Sequence, residues 1–209
     1  MSDATDSGCT VFIVDDDEPM RDSLALMLGL LGYRAASFAS AEAFLGAYQQ
    51  KWTGCVVADL KLPGKSGLEL QAELRKLGSQ LPVVIITAHG GVSSARAAFQ
   101  ADAVDFIEKP FDEADLRAAI EKGLEKELGR VRRAAAVSEE ALNLAKLTRR
   151  EREVLDLAGK GLHAKEIAHQ LGISPRTVEV HKGSLMDKLG ARNVAELVRF
   201  ALAAGKSHE

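Results

Sequence analysis

The sequence predicts two folds in series: an α/β, doubly wound, five-stranded parallel sheet, then an all-α domain of four helices. Three observations carry this. Short apolar runs alternate five times with helical patterns between residues 10 and 125. Such alternation means a parallel sheet whose right-handed crossovers put helices on both faces. From Leu147 onward no strand pattern remains. The charge divides at the same place: residues 144–209 carry 12 Lys/Arg against 8 Asp/Glu, and the rest of the chain 15 against 22. An acidic front and a basic tail suggest two domains with different partners, the tail facing a polyanion.

The elements follow in order. Val11–Val14 is the first strand. Pro19 suits the first turn of a helix, where its missing N–H costs nothing. Met20, Leu24, Leu28 and Leu31 then recur at helical spacing up to Gly32. Arg34 to Phe38 is the second strand, and Ser40 caps a helix carrying Ala43, Phe44 and Ala47. Val56–Ala58 is the third strand, a run apolar enough to be buried on both faces. Ser66 caps the next helix, with Leu68, Leu70, Leu74 and Leu77 as its apolar positions. Val83–Ile86 is the fourth strand, and Ser93 or Ser94 starts the helix after it. Asp105–Ile107 is a short fifth strand, and the helix after Lys109-Pro110-Phe111 is the last of the set. Leu116, Ile120, Leu124, Leu128 and Val131 carry that helix beyond the sheet. The predicted organisation is a first domain over 1–125, a helical linker over 126–142 and a second domain over 143–209.

In the second domain Thr148-Arg149-Arg150-Glu151 is a capping box. The helix it opens stops near Gly159. Ala164–Leu171 is a second helix, Ser174-Pro175 starts a third that runs to Leu189, and Asn193 caps a fourth. The tight Gly172-Ile173 turn makes the second and third a helix-turn-helix candidate.

Cys9 and Cys55 have no CxxC spacing, which favours reduced thiols over a disulfide scaffold. The polar, acidic N-terminus lacks the regions of a signal peptide, and no apolar run approaches the ~20 residues of a membrane span. A cytoplasmic protein with no membrane partner is expected.

Two of the strands end in acid. Val14 runs into Asp15-Asp16-Asp17-Glu18, and Ala58 into Asp59. Strands parallel in one sheet bring these ends to one edge, the edge where open α/β sheets bind ligands. Carboxylates at close quarters repel unless a hard cation sits among them, and oxygen ligands without His or Cys suit magnesium. Thr87 ends the fourth strand and Lys109 follows the fifth, so the same edge gains a hydroxyl and an ammonium. Asp59 can accept a phosphoryl group as an aspartyl phosphate. Magnesium on Asp16 and Asp59 would neutralise the incoming charge, and Thr87 and Lys109 would contact phosphate oxygens.

In the third helix of the tail, with Val178 facing the core and 100° per residue, Leu185 and Leu189 fall beside it. Val180 falls on the opposite side, with Arg176, Gly183 and Asp187. An outward-facing branched apolar residue flanked by Arg176 and Glu179 suits a helix in the major groove. There Val180 would meet a thymine methyl and Glu179 would accept from cytosine. Lys165, Arg176, Lys182 and Lys188 would take phosphates.

Four stretches together resemble the receiver domain of two-component response regulators of the FixJ/NarL family. They are Val14-Asp15-Asp16-Asp17-Glu18-Pro19, Asp59-Leu60-Lys61-Leu62-Pro63-Gly64, Ile86-Thr87-Ala88-His89-Gly90 and Asp105-Phe106-Ile107-Glu108-Lys109-Pro110-Phe111. The resemblance implies a flavodoxin-like sheet and phosphorylation of Asp59 by a sensor histidine kinase. It also implies magnesium on Asp16, Asp59 and the backbone carbonyl of Lys61, with Asp15 supporting. Thr87 and Phe106 would be the switch pair, Lys109 the phosphate-binding lysine, and Lys109–Pro110 a cis peptide. Two stretches depart from the family: Asp102 stands where a glycine is usual, and Gly91-Val92-Ser93 lacks the common Asp and Pro.

Leu147-Thr148-Arg149-Arg150-Glu151-Arg152-Glu153-Val154-Leu155, Lys165-Glu166-Ile167-Ala168 and Ser174-Pro175-Arg176-Thr177-Val178-Glu179-Val180-His181 resemble the LuxR-type DNA-binding domain. The resemblance implies a third helix that reads double-stranded DNA, with Thr177 and Gly183 among its contact positions. It also implies a fourth helix, through Val194, Leu197, Val198 and Ala201, that pairs two subunits on a two-fold site. His181 is expected to pack rather than touch bases, and Gly183 departs from the larger residue often found there. The expected protein is a transcription factor, not an enzyme, that dimerises on phosphorylation and has RNA polymerase as a further partner. A phosphohydrolase of the haloacid-dehalogenase type would also use an aspartate nucleophile, but it needs a second acid where this chain has Lys61. A regulator that binds DNA constitutively is the other alternative.

Overall fold

The computed structural model describes residues 9–88 and 91–205. The chain divides into two compact units between Val131 and Arg132.

The first unit alternates strand and helix: β1 Thr10–Val14, α1 Glu18–Leu30, β2 Arg34–Phe38, α2 Ala41–Ala47, β3 Gly54–Asp59, α3 Gly67–Lys76, β4 Val83–Thr87, α4 Val92–Gln100, β5 Asp105–Glu108 and the part up to Val131 of α5 Glu113–Ala145. The strands form one parallel sheet in the order β2-β1-β3-β4-β5. Alternate strand residues face opposite layers, as period-two geometry requires. Phe12, Val14, Val56, Ala58, Val83 and Ile85 pack with Phe44, Leu70 and Leu74 from α2 and α3. Val11, Ile13, Cys55, Val57, Val84 and Ile86 pack with Leu24 and Leu28 of α1 and Leu116, Ile120 and Leu124 of α5. This double burial is why the strands read as unbroken apolar runs. Both cysteines are free; Cys55 is fully buried, and burial pushes its thiol up to about 12, with the Glu127 carboxylate adding to the effect.

Most predicted starts and stops match in physical detail. The Ser40 hydroxyl accepts from the Ala43 N–H, and Ser66 and Glu69 close a reciprocal capping box. The start of α4 differs from expectation. Its N-cap is Gly91, with no side-chain cap bond, so the helix begins one residue before Ser93. The helix α5 runs unbroken through the predicted linker. Glu127 is still fully buried there, held by Arg130 at 2.7 and 2.8 Å, whereas Arg132 to Glu139 are exposed.

The second unit contains α6 Arg149–Gly159, α7 Ala164–Leu171, α8 Pro175–Leu189 and α9 Val194–Gly205. Its core joins Val154, Leu155, Ile167, Val178, Leu185, Leu189 and Leu197. The Thr148–Glu151 capping box opens α6, and Ser174 accepts from the Thr177 N–H to open α8. The turn between α7 and α8 needs Gly172, whose φ of 65° lies in the left-handed region. Asn193 accepts from the Glu196 N–H to cap α9.

Candidate functional site

The parallel sheet brings the predicted acids to one edge. Asp15 follows β1 and is fully buried; Asp59 ends β3 and is nearly so; Asp16 is exposed at the rim. One carboxylate oxygen from each lies within 4.8 Å of the others, a donor set that fits a hard divalent cation. Lys109, just after β5, places Nζ 2.9 Å from Asp15 Oδ2 and 3.4 Å from Asp59 Oδ2. Its backbone N–H donates to the Thr87 carbonyl at 2.7 Å, and its peptide bond to Pro110 is cis. Thr87 is fully buried, and Phe106 is half-buried against the α2–α3 layer.

The electrostatics follow from this crowding. Burial pushes the Asp59 carboxyl up; Lys109 and the Lys61 N–H, 3.3 Å from Oδ1, hold it back, and the Asp15 charge adds to the rise. Burial works to lower the Lys109 ammonium, but hydrogen bonds and charge from Asp15 and Asp59 outweigh it, so the group is raised. A compact acidic edge bridged by one cation is ready for a second cation and an oxyanion.

Three residues escaped the sequence reading. Arg21 on α1 donates from Nη1 to the Asp15 carbonyl at 2.8 Å. Glu42 on α2 accepts the Lys65 N–H at 3.0 Å and so ties down the loop after Asp59. Gly67 opens α3 where a Cβ would lie 2.4 Å from the Asp59 carbonyl oxygen, so only glycine lets the loop fold back this tightly. A glycine directly after a capping serine was the one available signal. His89 and Gly90, quoted for the resemblance, lie outside the described residues.

In the second unit, α8 presents Arg176, Glu179, Val180 and Gly183 to solvent, with Val180 65% exposed. Its opposite side buries Val178, Leu185 and Leu189. Lys165 on α7 is exposed, and Thr177 is half-buried with its hydroxyl 2.8 Å from that of Ser174. Lys182 lies along the helix, 3.5 Å from Glu179, and His181 is half-buried as expected.

Two predicted roles meet competing contacts. The Lys188 ammonium is not turned outward; it bonds Glu151 at 2.7 Å, because a buried carboxylate requires a charged partner. Leu197, expected on a pairing surface, is fully buried in its own unit's core, and Ala201 packs toward Gly159 of α6. The α9 surface left open carries Ala195, Arg199 and Leu202, with Val198 half-buried beside them. The side chain of Val194 lies outside the described residues.

The comparisons with known proteins agree with this architecture. Residues 11–121 match the response regulator receiver domain, and residues 145–201 match the luxR family of bacterial regulatory proteins. The chain belongs to the two-component response regulators. It is 44% identical to the transcriptional regulatory protein FixJ of Azorhizobium caulinodans, over 93% of this chain and 92% of that protein. FixJ of Rhizobium meliloti is also 44% identical, over 94% and 96%. Among solved structures, the response regulator StyR aligns with a TM-score of 0.80 at 39% identity, covering 91% of this chain and 96% of that one. Full-length FixJ from B. japonicum aligns with a TM-score of 0.58, also at 39% identity, over 95% and 98%. This response regulator thus joins a receiver to a LuxR-type DNA-binding domain and regulates transcription. Membership implies a histidine kinase and DNA as partners. Among the described residues no helix is long and apolar enough to cross a membrane.

Proposed function

We propose that this response regulator is switched by phosphorylation of Asp59, and that the phosphorylated chain dimerises and binds a two-fold DNA site. The observation that carries the reading is the convergence of Asp15, Asp16 and Asp59 around one point, with Lys109 bridging two of them. The receiver spans 1–125, residues 126–142 link it helically to the output domain at 143–209, and the protein works in the cytoplasm.

The Asp59 carboxylate attacks the phosphorus of a phosphohistidine on the sensor kinase, forming the acyl phosphate O–P bond as the N–P bond breaks. Its partial desolvation favours this, because a buried carboxylate gives up less hydration on reacting. Asp16, Asp59 and the Lys61 carbonyl would hold magnesium, with Asp15 supporting, and the ion would neutralise charge on the transferred group. Lys109 exchanges its bond to Asp59 for one to a phosphate oxygen, and the Thr87 hydroxyl donates to another. Movement of Thr87 reorients Phe106 and favours a pairing face at α4 and β5, a population shift. The chain is a phosphoryl acceptor that loses its phosphate slowly, not an enzyme with another substrate. On DNA it reads bases with Val180 and Glu179, takes phosphates with Lys165 and Arg176, and acts on RNA polymerase. The pairing surface of α9 is Val198 with its exposed neighbours.

Sedimentation of the full chain with magnesium, with and without beryllofluoride, tests the switch. Wild type is expected to double in mass with beryllofluoride and Asp59→Asn to remain unchanged. No change in wild type, or dimerisation of both, overturns it.

A further inference from the structure

The Glu151 carboxylate closes the Thr148 capping box at the start of α6, which is a local role. It also gathers contacts from a distant helix. The residue is 4% exposed, and Oε2 accepts from the Thr148 N–H at 2.7 Å, the Thr148 hydroxyl at 2.9 Å and Lys188 Nζ at 2.7 Å. Oε1 accepts from the Ser184 hydroxyl at 2.5 Å. The charge is well placed, because carboxylates are stabilised at a helix N-terminus. The bonds from Lys188 and Ser184 hold its pKa down at about 2.

Ser184 and Lys188 are four residues apart on α8, one turn along the same flank. That flank lies between the buried row of Val178, Leu185 and Leu189 and the outward row of Arg176 and Val180. Apolar packing is non-directional and leaves the rotation of a helix loosely set. Hydrogen bonds are directional, and two of them one turn apart resist both rotation and sliding. Recognition needs its groups held within roughly 0.5 Å and 10–20°.

We infer that Glu151 is the positioning residue of the DNA-reading helix: through Ser184 and Lys188 it fixes the rotation of α8, and so the direction in which Arg176, Glu179 and Val180 meet the bases. This rests on the reading of α8 as the helix that enters the major groove. Lys188 is then a strut, not a phosphate contact.

The two roles separate by salt dependence. The full chain, with magnesium and beryllofluoride, is titrated against a duplex enriched from a random library by wild type, and against an unrelated duplex of equal length. The Lys188→Gln and Ser184→Ala variants are expected to lose about tenfold on the enriched duplex, in the range of couplings between contacting residues. On the unrelated duplex the loss stays within about twofold and the salt slope is unchanged, since no phosphate contact is removed. Combining Lys188→Gln with Glu151→Gln should cost no more than the worse single change. An equal loss on both duplexes, with the slope reduced by about 0.9, overturns the proposal and makes Lys188 a phosphate contact. A lower melting temperature with the ratio between duplexes unchanged also overturns it, leaving Glu151 a cap. Failure of wild type to enrich any duplex is a different result: it overturns the DNA reading itself, and the proposal with it.

Discussion

Asp15 and Lys109 meet across 94 positions of sequence, in a pocket where one carboxylate is fully buried and the other nearly so. On α8 the outward groups fall within eight consecutive residues, Arg176 to Gly183, and most are exposed. In the pocket the charges are held by the sheet: burial and the Asp15 charge push the Asp59 carboxyl up, and Lys109 opposes them. On the helix the charges are displayed in water at little cost, and a single buried acid, Glu151, bonds Ser184 and Lys188 on the flank behind them. On the proposed readings, buried charge serves chemistry in one unit and orientation in the other.

Removing the bridging cation should break the pocket most severely. Lys109→Ala leaves Asp15 and Asp59 facing each other without it, and loss of one partner from a buried set costs about 3–5 kcal/mol. The receiver transition in a thermal scan should fall accordingly and be largely restored by millimolar magnesium; a receiver unaffected by either change would remove the electrostatic account. Leu185→Ala, directed at the buried side of α8, should cost the output unit about 2–5 kcal/mol while the receiver transition stays put. Coincident shifts of both transitions would mean the units do not melt independently. On the exposed side, Val180→Ala and Glu179→Ala should leave stability alone. Each should relax preference at one or two base positions by about 1–3 kcal/mol, read by library enrichment. A uniform loss over all sequences would instead assign these side chains to the backbone.

The smallest effect belongs to α4. Asp102 has a φ of 64°, the one positive value at a non-glycine among the described residues. Its carboxylate lies 3.2 Å from Arg75 and 3.5 Å from Lys126, and Gln71 donates to the neighbouring Ala101 carbonyl at 2.7 Å. The left-handed conformation costs a side-chain-bearing residue about 1 kcal/mol, and exposed ion pairs return only part of that. Asp102→Gly should therefore raise receiver stability slightly, by up to ~1 kcal/mol in urea titration. A clear loss would show that the contacts to Arg75 and Lys126 outweigh the strain.

Much of this was legible in the chain. The strands announced themselves as apolar runs because both of their faces are buried. Asp59 and Asp15 stood out because parallel strands bring both carboxylates to one sheet edge, where close carboxylates need a cation or another partner. The outward position of Val180 followed from helical periodicity alone. Asp102 stood out only as a departure from the glycine usual in the resembled family, and its φ of 64° lies in the region a glycine adopts freely. Leu197 and Lys188 were assigned outward roles from position and residue type, and neither property says which way a side chain turns when a core or a buried acid competes for it.

By itself the sequence determined what depends on local periodicity and residue chemistry: strands, helices, caps, the acids at strand ends and the two faces of α8. Tertiary structure alone decided which groups meet at long range. The bridging of Asp15 and Asp59 by Lys109, the fit of Gly67 beneath the Asp59 carbonyl and the hold of Glu151 on Ser184 and Lys188 all belong to that class. The physical reason is that propensity and periodicity act over a few residues. The cost of burying a charge, by contrast, is settled only by the partners that folding brings beside it.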